Sequence, residues 1–551
     1  MPTNFFKKTL KLLLARQTNI LSAAFVIMAT VILSQILGLI RQRMLVGIFG
    51  ASNVLGVYLA SSRLPDLLFQ VIIAGALSSA FIPVFSEYLV KNKKEEGYQF
   101  ASTLLSIGLG IFLVISVILF IFAEFFSHLV APGFSPSQIS LMANLMRLVL
   151  TGEMLFIVGS FLSAVLQSFN HFFIPGIASA LYNLGIIIGI FFLSPLAGIY
   201  APAYGVILGA LIFVLVQLPL ARNVGFRFQP SLFFKQQGVK EVFHLMWPRT
   251  ISLAIFQLGN LITVTLISFL ATPGRNYVIF DYAQTLAFAP VALFGQTIAQ
   301  AAFPVLSREK DKPEEFKATF ISSFSQMLYL VLPLSVLFIV LRIPIVRLLY
   351  GVSEFDWPAT VLTGRTLAWF SVSIFAQALV YLVSRGFYAL HDTKTPLIVG
   401  SITTRVMVLL GGVAIFFFPM GVESIAIAYS VGSILNFLLL FIILERKVGG
   451  FARLALFYSV SKIFIATFFT GVALYIPIKL LDRLVFDTTK TVNLLLLTGI
   501  SSFAGLALYL FLTWLFNVNE AKTFLLIFKK LGNWREILGT TEETLEPRMK
   551  P

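Results

Sequence analysis

The chain has 551 residues, of which 58% are hydrophobic and only 12% charged, whereas soluble domains carry roughly 25% charged residues, which excludes a soluble multidomain enzyme. The absence of cysteine excludes disulfides, thiol nucleophiles and Cys-ligated metal centres. The net charge of +16 would suggest nucleic acid in a soluble protein, but here the basic residues sit in short loops between apolar runs, as a membrane protein marks its cytoplasmic face.

In residues 1–19, Phe5, Phe6, Leu10, Leu13 and Leu14 alternate with Lys7, Lys8, Lys11 and Arg16. This predicts a basic amphipathic helix on an anionic membrane surface. A cleaved signal peptide fits less well, because no small-residue cleavage site follows. Fourteen apolar runs come next, near 20–40, 54–86, 99–125, 139–168, 172–193, 199–220, 241–271, 277–306, 316–341, 360–389, 396–418, 421–444, 455–480 and 492–516. Each approaches or exceeds the about 20 residues that cross a bilayer, and each is apolar on all faces. The expected fold class is an all-α integral membrane protein with 14 transmembrane helices. Residues 518–538 resemble the first 19, and a polar tail follows.

With the N-terminus inside, the cytoplasmic segments hold roughly three times as many Lys and Arg as the outside ones, so both termini are expected in the cytoplasm. An internal repeat appears at an offset of 221: Ala80-Phe81-Ile82-Pro83-Val84-Phe85-Ser86 matches Ala301-Ala302-Phe303-Pro304-Val305-Leu306-Ser307, and Leu166-Gln167-Ser168-Phe169 to Pro175 matches Phe387-Tyr388-Ala389-Leu390 to Pro396. Six spans separate equivalent points, so the halves share one orientation, a parallel repeat. The expected organisation is an interfacial helix (1–19), an N-terminal six-helix lobe (20–220), a cytoplasmic linker (221–240), a C-terminal six-helix lobe (241–444), two extra helices (455–516) and a cytoplasmic tail (517–551).

Ionisable groups within a span cost about 2.5–3.5 kcal/mol on insertion scales unless they meet water or a partner. Arg41 and Arg43 end the first span on the outside, against the positive-inside trend; they either snorkel or face a cavity. Arg63 and Asp66 flank Pro65 in the second span, and their i, i+3 spacing puts them on one helical face, as a solvated cavity wall or as an ion pair holding a kink. Asp281 and Gln284 lie in the eighth span, Asp281 as a cavity group or a helix cap. Arg147 and Glu153 lie in the fourth span and Arg405 in the eleventh, while Arg249 and Arg385 read as interfacial anchors and Lys462 as a snorkelling lysine. No Gly-Lys pair of a Walker A loop occurs, which argues against ATP-driven pumping, and no Gly-x-Ser-x-Gly elbow appears. Four scattered histidines give no metal site.

Several stretches are familiar. Ser34-Gln35-Ile36-Leu37-Gly38-Leu39-Ile40-Arg41, then Ile48-Phe49-Gly50-Ala51, Arg63-Leu64-Pro65-Asp66-Leu67-Leu68 and Gly75 to Tyr88 closely resemble the start of the MurJ (MviN) lipid II flippase family of the MOP exporter superfamily. Arg385-Gly386-Phe387-Tyr388-Ala389-Leu390-His391-Asp392-Thr393-Lys394-Thr395-Pro396 resembles that family's tenth-to-eleventh helix junction. The resemblance implies two six-helix lobes around a cationic cavity and a groove for a polyprenyl tail at helices thirteen and fourteen. It implies transport of lipid II, the peptidoglycan precursor, from the inner to the outer leaflet of the bacterial cytoplasmic membrane by alternating access. Arg41 and Arg63 hold the family's basic positions, and Asp66 replaces a usual Asn. Gln35, Gln42, Phe69 and Thr285 stand where charges are usual, and Thr263 stands where the seventh helix often has Asp or Asn, which argues against a sodium site there.

The expected function is therefore a non-enzymatic lipid flippase, monomeric, with membrane lipid and lipid II as partners and with no cofactor, ATP or nucleic acid. Candidate substrate-binding residues are Arg41, Arg43, Arg63, Asp66, Asp281 and Gln284. The alternatives are export of another lipid-linked oligosaccharide or a drug, and a non-transporting membrane scaffold. The topology is directly testable, because every introduced cysteine is the sole one in the chain. Cysteines at positions 353 and 487 are expected to react with an impermeant thiol reagent in intact cells, and those at 92 and 312 only after permeabilisation; external labelling at 92 overturns the orientation.

Overall fold

The computed structural model describes residues 20–521 apart from 75–79, 232, 234, 235, 353, 419, 452 and 485–489. The expected N-terminal interfacial helix, nearly all of its C-terminal counterpart and the stretch from Gly75 to Ser79 lie outside the described residues. Those described form helices and turns, with no strand. Ten of their helices are long and apolar enough to cross a membrane, or eleven if the bent pair Trp357–Ser371 and Ile374–Ala389 counts as one span. One of the ten, Phe173–Asn223, is a 51-residue run that contains two of the predicted spans, broken by a 3-10 turn at Gly198–Tyr200.

In chain order the helices are α1 (Ile20–Phe49), α2 (Asn53–Ser61), α3 (Arg63–Phe69), α4 (Ile82–Val90), α5 (Lys94–Ile121), α6 (Ala123–Val130), α7 (Pro136–Ser168), α8 (Phe173–Ala197), α9 (Ala201–Asn223) and α10 (Gln237–Ser268). There follow α11 (Pro273–Pro290), α12 (Thr297–Arg308), α13 (Pro313–Val340), α14 (Arg342–Tyr350), α15 (Trp357–Ser371), α16 (Ile374–Ala389), α17 (Lys394–Phe416), α18 (Glu423–Lys447), α19 (Arg453–Leu484) and α20 (Thr491–Leu515). Two π-helical turns, Gln70–Ala74 and Val291–Gln296, interrupt the second and eighth predicted spans.

The 221-residue repeat extends into local backbone geometry that the sequence comparison did not include. The two π-turns begin 221 residues apart, as do α7 and α15, and α8 and α17. Asn170 and His391, also 221 apart, both adopt positive φ, 63° and 58°. Each closes its preceding helix with a Schellman pair of hydrogen bonds: His171 N to Leu166 O and Asn170 N to Gln167 O, against Asp392 N to Phe387 O and His391 N to Tyr388 O. Such a terminus needs one left-handed residue, which Asn tolerates better than most side chains. The helix starts match as well. Ser135 Oγ accepts from Gln138 N at the head of α7, and Asp356 Oδ1 accepts from Ala359 N at 2.8 Å at the head of α15. In the second half Asp392 also accepts from Thr395 N and from Lys447. Partial burial works against its ionisation, but the hydrogen bonds from Lys447 and Thr395 outweigh that and push the carboxyl down to about 2.

Packing divides the chain into two compact units: Met1–Tyr282, Leu349–Leu362 and Val408–Ile425 form one, and Ala283–Leu348, Thr363–Met407 and Ala426–Pro551 the other. The first unit is built on α7, which packs against α2 to α6 and α9, while α8 and α9 form an antiparallel pair. Glycines set the closeness of that pair. A Cβ on Gly185 would lie 2.4 Å from the Gly209 Cα, and one on Gly189 would lie 2.4 Å from the Gly205 Cα. Small residues at four-residue spacing let helix backbones touch where lipid supplies no hydrophobic drive for association. Gln217, fully buried on α9, donates to Gly159 O at 3.1 Å and accepts from Ser163 Oγ at 2.7 Å, so its amide is satisfied across to α7. An aromatic core of Phe81, Phe85, Phe100 and Phe161 fills the space among α4, α5 and α7.

In the second unit α13 packs against α16 and α19, and α19 against α20. Tyr509 on α20 donates to Tyr329 O at 2.7 Å, and Tyr329 OH lies 3.3 Å from Thr513 Oγ1. These buried polar contacts dock α20 on α13, while Phe457, Phe464, Phe468, Leu495, Phe503 and Trp514 stay exposed along the pair.

The α8–α9 contact gives a stability prediction. Gly185→Ala forces backbone against backbone, and overpacking of this kind costs about 1–3 kcal/mol. The thermal unfolding midpoint of the detergent-solubilised chain is expected to fall. Gly110→Ala, whose new Cβ meets nothing within 4 Å, is the control and is expected to leave the midpoint level or slightly raised.

Candidate functional site

The site grows from a break in the second predicted span. α2 ends at Ser61 and α3 restarts at Arg63. Pro65 therefore falls in the first turn of α3, where an N–H has no intrahelical acceptor, so the ring costs no hydrogen bond. The sequence alone suggests a kink within one helix, and the interruption is confined to Ser62, which itself keeps right-handed helical angles. The restart is stapled by Asp66 N donating to Ser62 O at 2.8 Å and Ser62 Oγ donating to Asp66 Oδ2 at 3.2 Å. Four residues later comes the π-turn at Gln70–Ala74, a distortion frequent at functional sites.

α11 supplies the partners. Its first turn lies directly on α2: a Cβ on Gly56 would sit 1.9 Å from Gly274 O. That approach brings the face carrying Tyr277 and Asp281, spaced i, i+4, to the start of α3. Arg63 Nη2 pairs with Asp281 Oδ1 and Arg63 Nε donates to Tyr277 OH. The guanidinium carbon also lies 5.7 Å from the Tyr277 ring centroid. Tyr277 and Asp281 are only 3% and 8% exposed, so the pair is mostly withdrawn from solvent, where charge-assisted hydrogen bonds are strongest.

Arg63 and Asp66 open on a cavity of about 310 Å³ whose other lining residues are Gln70, Gln257, Asn260 and Leu261. Gln257 and Asn260 sit one turn apart on α10, with Asn260 Nδ2 donating to Gln257 Oε1 at 3.2 Å. The cavity thus offers one cation, one anion and three amide side chains to an occupant.

The other predicted residues divide. α1 continues to Phe49, so Arg41 lies about two turns inside the helix rather than at its end. Its charge acts on Tyr58, Asp66 and Tyr182, on three different helices, which places it at the charged cluster. Arg43 instead donates to Leu349 O at 3.0 Å. Beside it Gln42 Oε1 accepts from Tyr350 OH at 2.9 Å and Gln42 O from Tyr282 OH at 3.3 Å; this neighbourhood clamps backbone rather than lining the cavity. Gln284, one turn beyond Asp281 on α11, is half-buried and belongs to the second unit. Arg147 donates to Phe120 O and Asn144 Oδ1, away from the cavity. Arg385 lies over Phe303 and Lys462 over Tyr458. Thr263 spends its hydroxyl on Gly259 O, within its own helix.

Tyr277, Gln70, Gln257 and Asn260 were not apparent from the sequence. The amide pair carried a usable signal: two carboxamides one turn apart inside an apolar span. Tyr277 carried none, since a lone tyrosine near a span end reads as an interfacial anchor.

The chain was compared with known proteins. The family described as lipid II flippase MurJ matches residues 45–512. A probable lipid II flippase MurJ of Buchnera aphidicola subsp. Acyrthosiphon pisum is 28% identical over 84% of this chain and 91% of its own length. One from Thermotoga maritima is 30% identical over 74% of this chain and 82% of its own length. Among solved structures, a lipid II flippase MurJ in an inward closed conformation superposes with a TM-score of 0.73 at 23% identity, covering 89% of this chain and 98% of that one. An inward-facing multidrug resistance MATE transporter of the MOP superfamily gives 0.64 at 12% identity, covering 76% and 94%. Both share the fold, an all-helical membrane architecture, and the match across residues 45–512 fixes the lineage: this bacterial-type multi-pass membrane chain belongs to the MurJ lipid II flippase family.

Proposed function

We propose that the chain carries lipid II from the inner to the outer leaflet of the bacterial cytoplasmic membrane by alternating access, with both termini in the cytoplasm. Family membership supports the cargo. The observation that carries the mechanism is the Arg63 guanidinium, held by Asp281 and Tyr277 at the edge of a polar cavity. A pyrophosphate is a chain of anionic oxygens, and a planar guanidinium presents paired donors that match them. Asp281 occupies the place such an anion would take. A headgroup entering the cavity competes with Asp281 for Arg63, while Gln70, Gln257 and Asn260 offer amides to sugar and peptide groups. Arg41 supports the same region electrostatically.

Exchange of one anionic partner for another keeps the cavity from ever holding a bare arginine, which limits the cost of emptying the site. Net movement needs an energy source. An inside-negative potential drives anions outward, worth about 2.3 kcal/mol per charge per 100 mV. The polyprenyl tail cannot share the polar cavity. The exposed apolar flank of α19 and α20 is the surface we assign to it, and burial there is worth about 0.8 kcal/mol per CH₂.

The test is complementation of a strain depleted of its own flippase, with membrane levels matched. Arg63→Ala and Arg41→Ala are each expected to lose complementation. Arg63→Lys retains part of the activity if charge dominates and little if the paired donors do. Lys312→Ala, an exposed lysine paired with Glu315, is expected to be neutral. Asp281→Asn, which weakens the competitor, is expected to tighten lipid II binding while slowing turnover. Normal growth with the Arg41/Arg63 double alanine variant overturns the reading.

A further inference from the structure

Glu153 lies on α7 in the middle of the first unit and is 6% exposed. Its Oε2 has no hydrogen-bond partner among the described residues. Ionised carboxylates withdrawn from water persist only where a cation or several donors compensate them; otherwise the group binds a proton. Each of the other two carboxylates of this region has a direct polar partner: Asp281 Oδ1 pairs with Arg63, and Asp66 Oδ2 accepts from Ser62 Oγ. The charged group that acts on Glu153 is Asp66, of like sign, from α3. From α8 it faces Tyr182, a neutral phenol, which is in turn within electrostatic reach of Tyr58 on α2 and Arg41 on α1. No cluster of three or more His, Asp or Glu side chains suited to a metal ion occurs among the described residues, so a single carboxyl with a free oxygen suits a proton rather than a metal.

We propose that Glu153 is a proton-binding site, occupied at neutral pH when the cavity is empty, and that its proton is coupled to headgroup binding. The coupling part rests on the reading of Arg63 given above. With Glu153 protonated, Arg41 and Arg63 balance Asp66 and Asp281. An anion that takes Arg63 from Asp281 adds negative charge to this cluster, and Glu153 then holds its proton more firmly. Linkage makes the effect mutual: a proton on Glu153 tightens headgroup binding by the same factor.

Two measurements on the purified full-length chain separate the claims. Infrared difference spectra between the wild type and Glu153→Gln at pH 7 are expected to contain the C=O stretch of a protonated carboxyl that disappears as the pH is raised. A carboxylate signature at pH 7 overturns the site, whatever the protein transports. Binding of lipid II, whose doubly esterified pyrophosphate does not itself titrate near neutrality, is then measured from pH 6 to 9. The wild type is expected to weaken about tenfold across that range and Glu153→Gln to stay at the tight limit throughout. Parallel pH dependence in both proteins overturns the coupling. A wild type that fails to bind lipid II overturns the cargo assignment and the coupling with it, and leaves the infrared result to decide the proton site. Near-equal thermal unfolding midpoints confirm that the two proteins compared are folded.

Discussion

A guanidinium inside an apolar span must find a counter-charge, and much of the first unit is arranged around that requirement. Arg63 could not remain there on insertion cost alone. Its partners come from α11, and they reach it because Gly56 and Gly274 let α2 and α11 touch backbone to backbone. Arg63 opens α3 beside α11, and Gln70, the first residue of the π-turn beyond it, lines the cavity wall. Sequence features that look unrelated, two glycines, a serine before an arginine and a tyrosine one turn from an aspartate, thus serve a single electrostatic constraint. An ion pair of this kind is weak evidence for stability, since desolvation offsets much of the Coulomb gain. In the proposed function its use is as a latch whose anionic half can be replaced.

Hydropathy made the helical architecture legible, because a segment surrounded by lipid must be apolar on all sides and must satisfy its own backbone. The repeat was legible from Pro83 and Pro304, and it proves deeper than residue identity. The π-turns and the Schellman termini at Asn170 and His391 recur at the same offset although the residues differ. Backbone geometry there is dictated by packing position, so it survives where letters do not. Helix interruptions were much less legible. A π-turn such as Val291–Gln296 is written in apolar residues indistinguishable from those of a regular helix.

Of the candidate site, Arg41, Arg63, Asp66 and Asp281 were readable because ionisable residues in spans are rare and therefore conspicuous. Their pairing was not. Arg63 and Asp281 are separated by 218 positions, and spacing on one helix says nothing about a neighbour from another span. The i, i+3 spacing left Arg63 and Asp66 as a cavity wall or a local pair; both line one cavity, while the direct hydrogen bonds of Arg63 go to α11 and that of Asp66 comes from Ser62. Arg43 was conspicuous for the same reason as Arg41, yet a carbonyl cap satisfies it. Side-chain chemistry flagged both arginines, and only the packing of their surroundings separates them.

The charge balance of the cluster also bears on how a chain with few cavity arginines handles an anionic headgroup. Gln35, Phe69 and Thr285 offer no positive charge, so headgroup attraction at those positions needs another source. In the function proposed above it comes from exchange: Asp281 holds Arg63 in a bound geometry, so that an incoming pyrophosphate would inherit a preformed donor pair rather than organise a flexible one. Preorganisation reduces the ordering cost of binding, while the competing carboxylate keeps the site from binding so tightly that release fails. A transporter needs both properties, since a cargo held equally well in every state shifts no equilibrium. A neutral Glu153 fits this balance, because a further buried anion beside Asp66 would oppose the very exchange on which entry depends.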